Sequence, residues 1–306
     1  MNALLFRFVM FLLLLPPFVR PLIAQSSEKK NEDFKLTVSV DLVGVLATVT
    51  TAEGALVPGL RQEDFQIYED GQLQQVALFA KESEQPLRLC LLFDSSASIA
   101  TELKTQQEAA IDFLRSVIRP VDRVSIFQVS EDVEQLQRFS NRLDTLNRAI
   151  RSIQPGGGTS LYDAIFIAAE RLSNQSGRRV IVVISDGTDT TSDVSLNRCL
   201  RMAQDSESVV YALVVQPIKS EPGRNLAGEH AMIFVTERTG GRFFKVLSPA
   251  SLLSSYGRIS DELRTHYYFG YYPKRQRGGG EFRKIEIQVN NPAYRVRARE
   301  GYHSRK

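Results

Sequence analysis

Cysteine and histidine are scarce: the 306-residue chain has two of the first and three of the second. Two cysteines, Cys90 and Cys199, cannot build a disulfide framework. They read as small buried thiols, with a bridge between them as the alternative. The histidines, His230, His266 and His303, fall at no metal-ligand spacing, and the surroundings of His230 (Gly-Glu-His-Ala-Met) are no zincin motif. A nucleophile–base relay therefore has no base. The glycine run Gly156–Gly158 is not followed by Lys before a Ser/Thr pair, so it is no phosphate-binding P-loop. There is no Gly-x-Ser-x-Gly elbow. Excess charge is lacking too: a formal net charge of +3 gives no argument for nucleic acid. The expectation is a protein that is not an enzyme.

Long apolar runs are also few. One, Phe8–Leu15, follows Arg7 and is broken by Pro16 and Pro17. It is short for a span of ~20 residues. With Ala24 ahead of Gln25 it reads as a secretory signal peptide over residues 1–24, an uncleaved anchor being the alternative. No Cys follows Ala24 to carry lipid. Export is expected, to a periplasm, the envelope or the outside of the cell. Asn174-Gln175-Ser176 matches a glycosylation sequon, relevant only in a eukaryotic secretory pathway.

What remains is ordinary globular composition, 43% hydrophobic and 24% charged, enough for a sizeable core. After a polar linker (25–34), residues 35–86 alternate as strands, with two of them around a turn at Glu69-Asp70-Gly71. From Leu87 to about Arg264 strands and helices alternate, which predicts a doubly wound α/β domain with a mostly parallel sheet. Residues 265–306 return to strands: Tyr-Tyr-Phe-Gly-Tyr-Tyr, Phe-Arg-Lys-Ile-Glu-Ile-Gln-Val and Tyr-Arg-Val-Arg-Ala-Arg-Glu-Gly-Tyr-His, with a hairpin turn expected at Gly278–Gly280. The aromatic run reads as alternate-face packing rather than a ligand platform, and its basic hairpin tip as solvated. Neither β-rich end is large enough to close a sandwich alone. They are expected to pair with each other, the α/β domain being inserted between them.

The chemistry lies at strand ends. The apolar run Leu87–Phe93 stops at Asp94, followed by Ser96 and Ser98; Val180–Ser185 stops at Asp186. In open α/β sheets both ends lie on the edge where sites form. The glycine loop brings Thr159 to the start of a helix. Two carboxylates and three hydroxyls are hard oxygen donors that suit a divalent cation. Because the acids only neutralise the ion, it would stay electrophilic and open to an incoming carboxylate. Taken alone, Asp94-Ser-Ser-Ala-Ser98 reads equally as a helix N-cap. A phosphatase with a nucleophilic Asp94 would need a second Asp where Ser96 stands. Asp163 reads as structural, bonding backbone near the glycine loop, Asp189 as a solvated loop acid or one standing behind the ligands, and Ser95 and Ser160 as turned away from the site. Glu131 and Asp132 follow a strand end, where they could form a rim.

Asp94-Ser-Ser-Ala-Ser98, the Gly-Gly-Gly-Thr159 loop and Ser185-Asp186-Gly-Thr together resemble the metal-ion-dependent adhesion site of von Willebrand factor type A domains. The resemblance covers about Leu87 to Arg264. It implies that Asp94, Ser96, Ser98, Thr159 and Asp186 hold a divalent cation: Mg²⁺, with Mn²⁺ or Ca²⁺ as alternatives. It also implies a protein partner that offers an acidic residue to that cation. The flanks are similar to bacterial exported proteins with a VWFA-related domain. The expected function is metal-dependent, adhesion-type protein binding. Two alternatives stand: an envelope structural or assembly protein whose metal only stabilises loops, and a site that has ceased to bind metal.

Overall fold

The structure is a computed structural model that describes residues 42–81, 85–96, 102–215, 226–275 and 279–304. The expected signal peptide, linker and Ser98 lie outside the described residues.

At the centre is a six-stranded sheet. Its strands are β5 (Leu87–Asp94), β6 (Arg123–Val129), β7 (Val133–Ser140), β8 (Arg178–Ser185), β9 (Ser208–Val215) and β10 (Phe243–Val246). Their order is β10-β9-β8-β5-β6-β7, parallel throughout except for the antiparallel edge strand β7. The parallel strands are apolar on both faces because helices cover both. Side chains alternate along β5: Leu89, Leu91 and Phe93 enter one core, and Cys90 and Leu92 enter the other. The first core receives α1 (Leu103–Val117), α2 (Leu143–Arg151) and α6 (Pro249–Leu263); the second receives α3 (Leu161–Ser173), α4 (Leu196–Asp205) and α5 (Leu226–Arg238). Phe113 of α1 stacks on Tyr256 of α6 at 4.7 Å between ring centroids. Cys90 and Cys199 are both buried and unbridged.

The flanking strands form two antiparallel sheets. β1 (Val43–Thr51), β4 (Val76–Lys81), β11 (Tyr267–Tyr271) and β13 (Tyr294–Ala298) make one, in the order β13-β1-β11-β4. β2 (Phe65–Glu69), β3 (Gln72–Gln74), β12 (Phe282–Val289) and β14 (Gly301–His303) make the other, in the order β14-β12-β2-β3. Each sheet mixes strands from both ends of the chain, as expected. Val43, Val45, Ala47 and Val49 of β1 meet Phe65, Ile67, Ile285 and Ile287 in a shared core. Leu46, on the opposite face of β1, packs into the α/β core, so β1 is covered on both sides.

Three local expectations give way. The segment after the Asp70-Gly71 turn holds two strands, β3 and β4, and they belong to different sheets. Asp70 and Gly71 both have positive φ, 48° and 78°. The connection around Gly279 and Gly280 is not a hairpin: β11 and β12 lie in opposite sheets. The last run breaks into β13 and β14 because the chain crosses between sheets at Arg299-Glu300. Arg299 anchors the crossing by donating to the carbonyls of Gln204, at 2.7 Å, and Gly44, at 2.6 Å.

The turn from α1 into β6 rests on a buried acid. Asp122 accepts from the backbone N–H of Leu87 at 2.7 Å and of Arg119 at 2.9 Å, and pairs with the Arg119 guanidinium at 3.1 Å. Burial acts to raise its carboxyl, but the bonds from Arg119 and Leu87 outweigh that and hold it below the usual aspartate range. Asp122→Ala is expected to cost about 2–3 kcal/mol in urea unfolding at neutral pH, chiefly by orphaning the Leu87 N–H. A depressed carboxyl stabilises fully above its unfolded value, and the contribution is lost as pH falls through the folded one. The gap between the native protein and Asp122→Asn should therefore shrink in acid.

Candidate metal centre at the carboxyl edge of the sheet

Strand parity brings the site together. Asp94 follows Cys90 and Leu92 toward the α3 face, and Ser185 follows Ile181 and Val183 the same way. In the parallel register Phe93 pairs with Ile184, so Asp94 and Ser185 are neighbours at the strand ends. The Ser185 hydroxyl donates to Asp94 Oδ2 at 2.6 Å. The Ser96 backbone N–H donates to Asp94 Oδ1 at 2.8 Å, and the Thr159 hydroxyl lies 3.5 Å from the same oxygen. Asp94, Ser96 and Thr159 are buried, and Asp186 is half-buried beside them. Asp186 Oδ1 accepts from the Thr188 N–H at 2.8 Å. Four of the five expected ligands thus meet at one edge.

Burial raises the Asp94 carboxyl; the bonds from Ser185 and Ser96 oppose this, and the like charge of Asp186 adds to it. Among the described residues no three His, Cys, Asp or Glu side chains gather as a metal-binding group. The set at this edge is instead two carboxylates with hydroxyls. A buried carboxylate with an acid beside it and hydroxyl oxygens around it is a donor set that fits a hard divalent cation.

The glycine loop is pressed between neighbours. A Cβ at Gly156 would stand 2.8 Å from Ser130 Cβ, and one at Gly157 would stand 2.9 Å from Glu131 Oε1. Lack of side chains here lets the chain reach Thr159 without pushing β6 aside. The Ser95 hydroxyl donates to the Val129 carbonyl and the Ser160 hydroxyl to that of Glu131, so both turn away from the site as expected. Glu131 and Asp132 are exposed where β6 ends.

Asp189 is no solvated loop acid. Its Oδ1 accepts from the N–H groups of Leu161 and Tyr162, at 2.8 and 3.1 Å, and from the Ser192 hydroxyl. It closes the first turn of α3 from outside that helix, a favourable place for negative charge. Asp163 is structural, but its partners are the N–H groups of Asp193 and Val194 rather than the glycine loop. Thr190 holds Thr159 in place: its hydroxyl accepts from the Thr159 N–H at 2.8 Å, and its N–H donates to the Thr159 carbonyl at 2.8 Å. Ser185 and Thr190 were not foreseen. A serine ending an apolar strand gives no periodic signal, and the contact of Thr190 spans 31 residues.

Residues 89–188 match the family model of the von Willebrand factor type A domain. No curated protein matches the chain. Among solved structures, the von Willebrand factor type A protein of Catenulispora acidiphila aligns over 85% of this chain and 73% of its own, with 9% identity and a TM-score of 0.51. The pilus adhesin SpaC of Lactobacillus rhamnosus GG aligns over 81% of this chain and 48% of its own, with 9% identity and a TM-score of 0.52. A conserved hypothetical protein, BatB of Bacteroides thetaiotaomicron, aligns over 57% and 98%, with 18% identity and a TM-score of 0.46. The matched segment runs from β5 to just past Asp186 and contains Asp94, Ser96, Thr159 and Asp186. This chain carries a von Willebrand factor type A domain, set between the two halves of a β-sandwich.

Proposed function

We propose that the protein is an exported, metal-dependent protein-binding module and not an enzyme. The observation that supports this best is the meeting of Asp94, Ser96, Thr159 and Asp186 on one sheet edge. The similar fold of a pilus adhesin is consistent with it. Asp94, Ser96, Ser98 and Thr159 would supply oxygens directly or through water, and Asp186 through water. A bound divalent cation supplies a Lewis-acidic position that takes a carboxylate oxygen. The residues of this chain do the positioning: Ser185 fixes one oxygen of Asp94, the Ser96 N–H fixes the other, and Thr190 fixes Thr159. With only two acids, the charge of a divalent ion is balanced and not exceeded, which leaves attraction for an acidic side chain of a protein partner. No described helix is long and apolar enough to cross a membrane.

Removal of metal is the test. A ligand at 100 times its Kd stabilises by about 2.7 kcal/mol. At roughly 2–4 °C per kcal/mol, that moves the melt by roughly 5–11 °C. Mg²⁺ or Mn²⁺ is expected to produce this rise over chelator, and partner capture is expected only with metal present. Capture unchanged by chelator would sink the mechanism. A metal-dependent rise without metal-dependent capture would favour the envelope-assembly reading.

A further inference from the structure

A buried histidine stands where the chain returns from the α/β layer to the sandwich. His266, 2% exposed, lies between the end of α6 and the start of β11. Its Nε2 is 3.0 Å from the Tyr211 hydroxyl of β9. That hydroxyl donates to Glu262 Oε2 of α6, also at 3.0 Å. Its one proton is thereby spent, so it can only accept from the ring. Nε2 therefore carries the hydrogen, and Nδ1 is a bare acceptor. Nδ1 is buried and has no hydrogen-bond partner among the described residues. The Glu262 carboxylate is engaged by other groups as well. Arg242, just ahead of β10, pairs with its Oε1 at 2.9 Å, and Arg297 of β13 pairs with its Oε2. Arg178 of β8 donates to the Leu263 carbonyl at the end of α6. The titratable and charged groups around the ring are thus Tyr211, Glu262, Arg178 and Arg297, with Arg242 behind Glu262.

We propose that His266 is an acid-sensitive latch, which holds the sandwich against the α/β layer while its ring is neutral and releases it when the ring takes up a proton. A protonated ring has an N–H at Nδ1 with no acceptor, and a charge facing two guanidinium groups. Glu262 cannot answer that charge directly. The Tyr211 hydroxyl stands between it and the ring, and Tyr211, Arg242 and Arg297 already address its oxygens. A buried charge without a partner is costly, so the joint must open and admit water. Opening parts β11 and β13 from β9 and α6. Burial, together with the charges of Arg178 and Arg297, holds the closed ring well below the ordinary histidine value. In the open joint the ring returns to about 6.5. Below that pH the open form binds more protons than the closed one, so opening becomes easier as pH falls. Above it the ring is neutral in both forms and the latch stays shut. The proposal does not rest on the metal reading.

The test is amide hydrogen exchange on the whole protein without metal, corrected for the intrinsic effect of pH. The reporter is the Glu300 N–H, which crosses from the sandwich to the Arg238 carbonyl at 3.1 Å. Its opening constant is expected to rise roughly thirtyfold between about pH 7.5 and about pH 5, from the protonation of one open histidine. It should also exchange ahead of the amides of β5 and β8. His266→Gln keeps a donor for Tyr211 but cannot take a charge, and should lose the rise. His266→Phe, which fills the same space, replaces it should that variant fail to fold. His230, His303 and Asp94 are common to native protein and variants, so their effects cancel. The proposal is overturned if the native rise is under about threefold, or if a folded variant keeps it. It is overturned equally if Glu300 opens only together with β5 and β8, which would make the loss global unfolding and not release of a joint.

Discussion

Asp94→Ala is expected to abolish both the metal-dependent rise in melting temperature and metal-dependent partner capture, while the protein stays folded. Asp94 is where the site's contacts converge: Ser185, Ser96 and Thr159 all address its two oxygens. Removing the carboxylate leaves Ser185 and the Ser96 N–H without their acceptor, a cost of about 1–3 kcal/mol for each buried group that stays unpaired. Against this, a buried carboxylate beside Asp186 is itself unfavourable without a cation, as the upward displacement of its carboxyl indicates. The two effects oppose each other, so the metal-free variant should melt close to the metal-free native protein. The measurement is a pair of melts, with metal and with chelator, on both proteins. A variant that keeps most of the rise would place the ion elsewhere.

The largest loss of stability is expected in the sandwich, from Glu69→Ala. Glu69 and Arg283 are 3% and 1% exposed by side chain and pair at 3.0 Å. The other Glu69 oxygen accepts from Tyr271 at 2.7 Å and Tyr302 at 2.9 Å. These four side chains come from β2, β12, β11 and β14, so one carboxylate ties together strands from both ends of the chain and both sheets. Deleting one partner of a buried pair costs about 3–5 kcal/mol, because the other charge is left in the core. Two tyrosine hydroxyls lose their acceptor as well. Urea unfolding of Glu69→Ala measures the loss, and adding Arg283→Met to Glu69→Leu is expected to recover most of it. A loss below about 1 kcal/mol for Glu69→Ala would mean that Arg283 is screened by water rather than held by Glu69.

Sequence patterns made the α/β layer and the approach of Asp94, Thr159 and Asp186 to one sheet edge readable because they are written locally. Apolar strands ending in Asp94 and Asp186, and glycines before Thr159, each occupy a few consecutive residues. The pairing of the two β-rich ends was also readable, because neither can close a sandwich alone, but the details fixed by particular distant contacts were not. β7 is half-polar and sits at an edge, so its alternation is weak. α6 gives a weak helical signal although Ser248 caps it and Pro249 opens it, because its core residues Leu252, Tyr256, Ile259 and Leu263 are diluted by serines. The roles of Asp189 and Thr190 depend on where α3 comes to rest, which no short window contains. The two-sheet split of the last strands depends on Arg299, whose partners lie on β1 and α4.

The threading of the sandwich also sets an order of assembly. β1 lies between β11 and β13, with Ala47 opposite Tyr267 on one side and Ala298 on the other. An emerging chain makes β1 first and its partners last, so this apolar strand waits through the synthesis of the whole α/β layer. Contacts so far apart in sequence close slowly, and an unpaired apolar strand is a site for aggregation meanwhile. Loss of the final residues, from β13 onward, would leave Asp94, Thr159 and Asp186 in place but strip β1 of one neighbour and β12 of another. Such a truncated chain would be prone to self-association through β1.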